Sequence, residues 1–389
     1  MRSDCFIAFG LKNSGSLNIT VKSKVEALYG ESIKKQIEDG LRVMEISDAA
    51  VEVDDYGALP FTISARLESA VRRSGLNPPP CLPEMKDYCT YGTTADRFRR
   101  SRLYLPGNEP KFFLNAGLHK PDGVILDLED SVAPSEKDAA RILVRNALRQ
   151  VNFYGAERMV RINQGELGLL DLEYIIPHNV HVVLIPKVEY AKQVQIVDDR
   201  IGQILKREKI EHPVYLMPII ESALGGIEAY EIAASSPNIV ALALGLEDYT
   251  ADIGTQRTLE GKESFWLRSV IVNAARAAKI QPIDTVFSDV ADMEGLAVSV
   301  REAKALGFDG KGCIHPRQIK VIHKAFAPEA SEIAKAKKIV LAFERAEKEG
   351  LGVVALGSKM IDPPVVKRAL KTVKMAESLG MIKGDWRNG

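Results

Sequence analysis

The chain has 389 residues with 52 basic and 52 acidic side chains, so its formal net charge is zero. This balance argues against a protein held to nucleic acid by phosphate neutralisation, because such domains are usually clearly basic. With 46% hydrophobic residues, the composition is that of a globular chain with a sizeable core. No run of about 18 apolar residues occurs and no apolar signal core follows the first residues, so we expect neither a membrane protein nor a secreted one.

The four cysteines are scattered along the chain and form no CxxC pair: Cys5, Cys81, Cys89 and Cys313. This usage is typical of reduced thiols rather than of a disulfide framework or a structural zinc site. We therefore expect a cytoplasmic protein.

A small α+β domain is predicted over residues 1–75. Two short apolar segments, 5–11 and 17–21, flank Asn13-Ser14-Gly15-Ser16, which predicts a hairpin turn. Apolar residues at helical spacing follow up to Gly40. A second hairpin is predicted around residues 54–57, between apolar segments 50–53 and 58–63, and a helix over 64–73 ends the domain.

Residues 76–98 break the pattern on either side. This stretch contains four prolines, which do not fit inside a helix or a central strand: Pro78, Pro79, Pro80 and Pro83. Such a run behaves as an extended, semi-rigid spacer, and we interpret it as a linker between two domains.

Short apolar runs alternate with helical stretches over residues 99–350. There are eight such runs, at residues 102–106, 123–128, 159–163, 182–186, 214–220, 239–245, 282–287 and 307–314. Eight βα units in roughly 250 residues are typical of a closed (βα)8 TIM barrel. An open doubly wound sheet is the alternative, but no GxGxxG follows the first strand. Residues 351–389 are interpreted as a strand–helix extension that packs on the barrel or on a neighbouring subunit.

Charged residues follow almost every predicted barrel strand, at the end where a (βα)8 barrel carries its active site. Glu221 and Asp248 follow the fifth and sixth strands and would converge, and hard oxygen ligands with open positions suit Mg²⁺. Arg161 offers a bidentate fork for a substrate carboxylate. The alternative for the two carboxylates is a helix cap and a surface turn. Metal and arginine together predict a site for a small keto or hydroxy acid.

A basic run precedes and enters the first barrel strand, formed by Arg97, Arg99, Arg100 and Arg102. It would attract phosphates of the kind that coenzyme A carries, or it is simply a solvated stretch between domains.

Several motifs, in order, resemble the citrate lyase β subunit and the wider group of malyl-CoA and citramalyl-CoA lyases. They are RSRLYLPGNEPKF, GVILDLEDSVAPSEKDAAR, RMVRIN, IIESALGGIEAYEIA, ALALGLEDY, DTVFSDV and GFDGKGCIHPRQI. The resemblance implies a (βα)8 barrel that cleaves 3-hydroxy-acyl thioesters by Mg²⁺-dependent retro-Claisen chemistry. It implies that Glu221 and Asp248 hold Mg²⁺, that Arg161 grips the keto-acid carboxylate and that Glu129 and Asp130 lie in the surrounding catalytic shell.

The N-terminal domain resembles the citrate lyase γ subunit, an acyl carrier, in NSGSLNITV, VEALYGESIKKQI and VEVDDYGALPFTISARLESAV. The resemblance implies that Ser14 carries a covalently attached phosphoribosyl-dephospho-CoA arm. The usual local pattern of that family is Glu-Ser-Gly-Asp, whereas this chain has Asn13-Ser14-Gly15-Ser16, and a plain turn residue is the alternative for Ser14. A prosthetic-group transferase and an α-type acyl transferase subunit are implied as partners.

Together these features predict a fused carrier and lyase that cleaves a citryl thioester to oxaloacetate and an acetyl thioester. A citramalyl-CoA or malyl-CoA lyase and a non-catalytic carrier or scaffold are the alternatives. Three groups are candidates for the general base: a carboxylate of the surrounding shell, a carboxylate of the substrate and a metal-bound hydroxide. From the C-terminal region of the resembling proteins we expect a homo-oligomer.

Overall fold

The computed structural model describes residues 2–13, 15–348, 354–356 and 359–388. Contacts within the chain divide it into two units, Met1–Ile319 and Lys320–Gly389. The first unit holds a small α+β domain and a closed barrel, and the second holds helices with a two-stranded sheet. The four-part division of the chain made above stays a prediction. No helix in the described part of the chain is long and apolar enough to cross a membrane.

The small domain is a three-stranded sheet with two helices packed on it. Its elements are β1 (Cys5–Leu11), β2 (Asn18–Ser23), α1 (Glu26–Val43), β3 (Ala49–Asp55) and α2 (Pro60–Arg73). The strand order is β1-β3-β2, with β1 antiparallel and β2 parallel to β3. The predicted first hairpin is therefore wrong, because β3 lies between the two strands that were expected to pair.

The second predicted hairpin is also wrong, because the segment after β3 is helical. Asp55 ends β3 and accepts hydrogen bonds from the backbone of Gly57 and Ala58, which turns the chain. Pro60 then occupies the first position of α2, where its missing N–H costs nothing. A fully buried run near the start of this helix has the apolar character of a strand, which explains the error.

The barrel has eight parallel strands in chain order, as predicted. They are β4 (Ser101–Pro106), β5 (Gly123–Asp127), β6 (Glu157–Arg161), β7 (Val182–Ile185), β8 (Tyr215–Ile220), β9 (Ala241–Leu244), β10 (Gln281–Asp284) and β11 (Gly310–Cys313). Pairing of β11 with β4 closes the sheet.

Helices connect the strands of the barrel. They are α3 (Pro110–Phe113), α4 (Lys137–Gln150), α5 (Gly165–Ile175), α6 (Ala191–Glu208), α7 (Ala223–Ile227), α8 (Ala229–Ala233), α9 (Leu246–Asp252), α10 (Phe265–Ala277) and α11 (Met293–Leu306). Inside the barrel an apolar cluster includes Ile125, Met159, Leu184, Met217 and Ile283. A packed interior of this kind is expected, because side chains in layers fill a barrel of eight strands.

Helix α2 of the small domain packs against α4 of the barrel and is tied to it by a buried ion pair. Glu68, fully buried, accepts hydrogen bonds from Arg145 of α4 at 2.6 and 3.1 Å and from Arg72 at 2.9 Å. Burial alone would raise the pKa of Glu68, but the two arginines hold it below its usual value. Arg73 pairs with Asp138 at 2.7 Å. The small domain is thus fixed to the side of the barrel.

The proline-rich segment that follows is also held in place. The Cys89 side chain is buried, and the Tyr91 hydroxyl donates to the carbonyl of Ala156 at 2.6 Å. Asn179 and His181 donate to the carbonyl of Tyr91 at 3.0 and 2.8 Å. Because these partners precede β6 and β7, the segment runs along the amino ends of the strands. It is packed against the barrel through these contacts, whereas its composition predicted an extended, semi-rigid spacer.

Helix α12 (Pro316–Phe326) contains the point of division between the two units. The second unit also contains α13 (Ala330–Lys348), β12 (Val354–Leu356), β13 (Lys359–Ile361) and α14 (Pro363–Ser378). Helices α13 and α14 share a small core that includes Val340, Val366 and Val373. The Asp362 side chain accepts from the backbone N–H of Val365 at 3.1 Å and caps α14. The expected helix is present and begins at Pro363, but two antiparallel strands precede it where one was expected.

Candidate functional site

A cavity of about 450 Å³ opens at the carboxyl ends of the barrel strands. Its polar lining comprises Arg102, Tyr104, Asp127, Asp130, Ser131, Arg161, Glu221, Glu247, Asp248, Asp284 and Thr285. Five residues predicted for the site therefore meet in one cavity: Arg102, Asp130, Arg161, Glu221 and Asp248. Glu129 lies behind them, and Ser14 is outside the described residues.

Arg161 ends β6 and is fixed by Asp127, the last residue of the neighbouring β5 and its partner in the strand register. The guanidinium donates from Nε and Nη2 to the two Asp127 oxygens at 2.6 and 2.7 Å, and Nη1 pairs with Glu129 at 3.0 Å. Burial would raise the pKa of Asp127, but the Arg161 hydrogen bonds hold it below its usual value. Since a guanidinium has five N–H groups, two remain on Nη1 and Nη2 for a ligand.

Lys187 follows β7 and places its ammonium group among three carboxylates. Its Nζ lies 3.5 Å from Glu129, 3.4 Å from Asp130 and 3.4 Å from Asp248. The backbone of Lys187 is left-handed, with φ of 50°, a conformation that non-glycine residues adopt at a cost. Sequence reasoning did not select Lys187 or Asp127 as site residues, although both lie at strand ends beside residues that were selected.

Glu129 is buried and held from several sides. Gln164 donates to it at 2.9 Å, and its side chain pairs with both Arg161 and Lys187. Burial raises the pKa of Glu129 against the opposing charge of Arg161. Asp130, by contrast, leaves about half of its side chain exposed and lines the opening of the cavity.

Glu221 follows β8 directly and points into the cavity with one oxygen free. Its Oε2 is buried and finds no hydrogen-bond partner within the described chain. Burial raises the pKa of Glu221 to about 8; Arg161 opposes this rise, and the charges of Asp248 and Glu129 add to it. Gly245 provides the space, because a Cβ at that position would lie 2.8 Å from Oε1. Asp248 stands in the first turn of α9 and is partly exposed.

These carboxylates fit a divalent cation. A buried carboxylate with an orphaned oxygen, destabilised by two neighbouring negative charges, is stabilised when a cation binds. In the described ranges no three or more His, Cys, Asp or Glu side chains converge in a ligand arrangement. Mg²⁺ does not need such a set, since one or two carboxylates with waters and substrate oxygens suffice.

The basic run at the start of the barrel does not form a phosphate site. Arg99 pairs with the buried Glu157 at 2.7 Å and Arg100 pairs with Asp122 at 2.8 Å. Arg97 donates to the carbonyl of Gly155. All three lie toward the amino ends of the strands, away from the cavity. Of these four arginines, Arg102 alone lines the cavity, because it lies within β4 whereas the other three precede the strand.

The cavity lies at the carboxyl ends of the strands of a (βα)8 barrel, which is where enzymes of this fold carry their active sites. A family model described as HpcH/HpaI aldolase/citrate lyase matches residues 100–316. The chain belongs to this family and is a carbon–carbon lyase. A second model, described as malonate decarboxylase delta subunit (MdcD), matches residues 2–74, so that the N-terminal domain is similar to acyl carriers of that type.

The chain is also similar to individual proteins described as lyases of this kind. The citrate lyase subunit beta of Haemophilus influenzae is 42% identical over 285 residues, which cover 72% of this chain and 98% of the relative. The mitochondrial citramalyl-CoA lyase of Rattus norvegicus is 34% identical and covers 72% of this chain and 87% of the relative. A structure of the citrate lyase beta subunit of M. tuberculosis with oxaloacetate and magnesium aligns with a TM-score of 0.51 at 32% identity. It covers 62% of this chain and 100% of that chain.

Proposed function

We propose that the barrel cleaves a citryl thioester to oxaloacetate and an acetyl thioester, with Mg²⁺ bound by Glu221 and Asp248. One observation carries the proposal: Glu221, with its free buried oxygen, shares one cavity with Asp248 and Arg161. The H. influenzae relative is a citrate lyase beta subunit, and the M. tuberculosis structure contains oxaloacetate and magnesium. These names support the same substrate class for this chain.

In the proposed reaction the bond between the hydroxyl-bearing carbon and the α-carbon of the thioester breaks. The hydroxyl proton leaves, the ketone of oxaloacetate forms, and the bond's electron pair passes to the α-carbon, which then takes up a proton. Mg²⁺, when bound, stabilises negative charge on the hydroxyl oxygen and draws electron density from the developing ketone.

The chain's own residues bind and orient the substrate. Arg161 holds a carboxylate of the keto-acid half through its two remaining N–H groups, and Asp127 keeps the guanidinium in one orientation. Glu129 supports Arg161 from the other side at 3.0 Å. Lys187 balances the charge of Glu129, Asp130 and Asp248, since these carboxylates raise its pKa against the effect of burial.

The test is a cleavage assay of the purified full chain with citryl-CoA, citramalyl-CoA and malyl-CoA, with Mg²⁺ and with a chelator. Oxaloacetate, pyruvate and glyoxylate are measured separately. Metal-dependent oxaloacetate from citryl-CoA supports the proposal. Pyruvate as the main product would instead favour citramalyl-CoA, the substrate named for the rat relative. No product from any of the three would favour a non-catalytic scaffold.

We further propose that Ser14 carries the phosphoribosyl-dephospho-CoA arm and that an α-type subunit exchanges acyl groups on it. The match of residues 2–74 to a carrier family supports this. The turn beside Ser14 is shaped by Gly15 and Ser16, both at positive φ, and the backbone N–H of Ser16 donates to Asp48 at 3.0 Å. Mass spectrometry of the chain produced with the family's prosthetic-group transferase should show the arm on wild type and Ser16→Ala. A modified Ser14→Ala would refute the assignment.

The location and assembly of the protein also remain proposals. All four cysteines are buried free thiols, which supports the expected cytoplasmic location. A homo-oligomer stays a prediction, to be tested by light scattering of the purified chain.

A further inference from the structure

Arg102 is a buried cation on the floor of the catalytic cavity. Its side chain projects inward from β4 and only 1% of the residue is exposed. Its guanidinium reaches Met217, in the middle of β8, whereas Glu221 follows the end of the same strand. Arg102 therefore lies deeper in the barrel than the carboxylates proposed to hold Mg²⁺.

The hydrogen bonds of this guanidinium are poor. Nη1 donates to the Met217 sulfur at 3.0 Å, and a thioether is a weak acceptor. Nη2 reaches the backbone carbonyl of Asp284 at 3.5 Å, the outer limit for such a bond. Nε has no hydrogen-bond partner among the described residues. Burial lowers the pKa of Arg102, yet a guanidinium stays charged at neutral pH.

The nearby carboxylate of Asp284 is already neutralised by other cations. Lys311 donates to it at 2.7 Å, and Arg268 donates to both of its oxygens at 3.0 and 3.2 Å. Asp284 and Lys311 are fully buried. In this part of the barrel the three cations Arg102, Lys311 and Arg268 thus outnumber the Asp284 carboxylate. A buried charge without a partner is costly, so this position is suited to a ligand that supplies an anion.

Two of the candidate substrates differ by one anionic group at the reacting carbon. A citryl thioester carries a carboxymethyl group there and releases oxaloacetate, whereas a citramalyl thioester carries a methyl group and releases pyruvate. We propose that Arg102 binds the second carboxylate of the keto-acid half and thereby selects the citryl over the citramalyl thioester. This inference rests on the proposed lyase function and names the residue that sets its specificity.

Binding of the two keto acids tests the inference without turnover. Titration calorimetry of the full chain with Mg²⁺ should show tighter binding of oxaloacetate than of pyruvate. In Arg102→Met this preference should disappear, with oxaloacetate weakened on the order of a hundredfold and pyruvate unchanged. Arg102→Lys should recover part of the preference, because it restores a point charge without the fork. Equal weakening of both acids, or an unchanged preference, would overturn the proposal.

A second test compares kcat/KM for the two thioesters in wild type and variant. It distinguishes failure of the Arg102 proposal from failure of the proposed lyase function. In Arg102→Met, kcat/KM for citryl-CoA should fall while kcat/KM for citramalyl-CoA holds or rises. Arg97→Met removes an arginine at the opposite end of the barrel. It should leave kcat/KM unchanged for both citryl-CoA and citramalyl-CoA. If wild type cleaves no thioester, the lyase proposal fails, while the binding preference still decides the role of Arg102. The variant should fold, since Met replaces an unpaired buried cation beside Met217, and its melting temperature should equal or exceed that of wild type.

Discussion

Arg161 and Asp127 stand opposite each other at the ends of β6 and β5 and form two charge-assisted hydrogen bonds of 2.6 and 2.7 Å. Asp127 is 1% exposed, so solvent does not compete for this pair. The pair fixes an arginine that lines the mouth of the cavity. Its geometry follows from strand register, which makes the orientation of Arg161 a property of the sheet rather than of a loop.

Asp127→Asn should lower kcat/KM for the thioester on the order of a hundredfold, because Arg161 loses a charged partner and its fixed orientation. Steady-state kinetics measures this effect. Asp122→Asn is the matched control, since Asp122 makes the same kind of pair with Arg100 at the other end of the barrel. A similar loss in both variants would mean that the effect is on stability and not on substrate orientation.

Glu221→Gln and Asp248→Asn should each weaken Mg²⁺ binding at least about a hundredfold, because each removes a negatively charged ligand from a site with few protein ligands. Titration calorimetry with MgCl₂ measures the affinity directly. Glu231→Gln changes an exposed carboxylate of α8 and should bind Mg²⁺ as wild type does. Wild-type affinity in both site variants would show that the metal binds elsewhere.

Lys187→Met should tighten Mg²⁺ binding, on the order of tenfold, because a cation 3.4 Å from Asp248 is removed from the site. The same calorimetric titration applies, at low ionic strength where the effect is largest. Lys192→Met, on the exposed part of α6, serves as the control. Weaker Mg²⁺ binding in Lys187→Met would indicate that the lysine orders the carboxylates instead of competing with the ion.

Glu68→Gln should destabilise the chain by about 3–5 kcal/mol, because it leaves Arg145 buried without its charged partner. Urea unfolding measures the loss, and hydrogen exchange should rise in α2 and α4. The double variant Glu68→Met with Arg145→Met should recover most of the stability. Glu31→Gln, at an exposed ion pair of α1, should have little effect. An unchanged free energy of unfolding in Glu68→Gln would show that the ion pair does not hold the small domain on the barrel.

Acid should weaken the contact between the proline-rich segment and the barrel through His181. Burial, together with the charge of Arg158, lowers the pKa of His181 to about 3. A lowered pKa in the folded state means that the neutral imidazole is favoured, so its stabilising effect is complete above pH 6.5 and is lost as pH falls toward 3.

His181→Gln should remove this contribution while keeping one donor and one acceptor. Between pH 7.5 and 5.5 the wild-type free energy of unfolding should fall by about 1.4 kcal/mol more than that of the variant. Urea unfolding at the two pH values measures the difference. Identical pH dependence in both proteins would exclude His181 as the group responsible.

The barrel was predictable from sequence because its strands are short, fully buried apolar runs with a polar residue after each. The same logic placed Arg161, Glu221 and Asp248 at one end, since parallel strands share their carboxyl edge. The small domain was harder. Insertion of β3 between β1 and β2 depends on pairing between segments that are distant in the sequence. The start of α2 carries an apolar run that is compatible with a helix or with a strand.

The side-chain contacts of the site could not be predicted in the same way. Nothing in the order of residues shows that Lys187 reaches three carboxylates. Nor does it show that Asp284 pairs with Lys311 and Arg268, while Arg102 pairs with no carboxylate among the described residues. Such contacts depend on side-chain lengths and directions across several strands. Arg102 in particular looks like the other arginines of the basic run in the sequence, and only the start of β4 at Ser101 separates it from them.

The docking of α2 on α4 has a consequence for how an acyl group would travel. Arg73, in the last turn of α2, pairs with Asp138 at the start of α4, which is the side of the barrel where the strands end. Lys12 and Asp48, which flank the turn that contains Ser14, share a surface cleft with residues 76–79 just beyond α2. A prosthetic arm carried by the small domain would therefore extend from a domain that is fixed to the barrel. Its effective concentration at the metal site would depend on the length of the arm, and lengthening the proline-rich segment would leave the rate of acyl delivery unchanged.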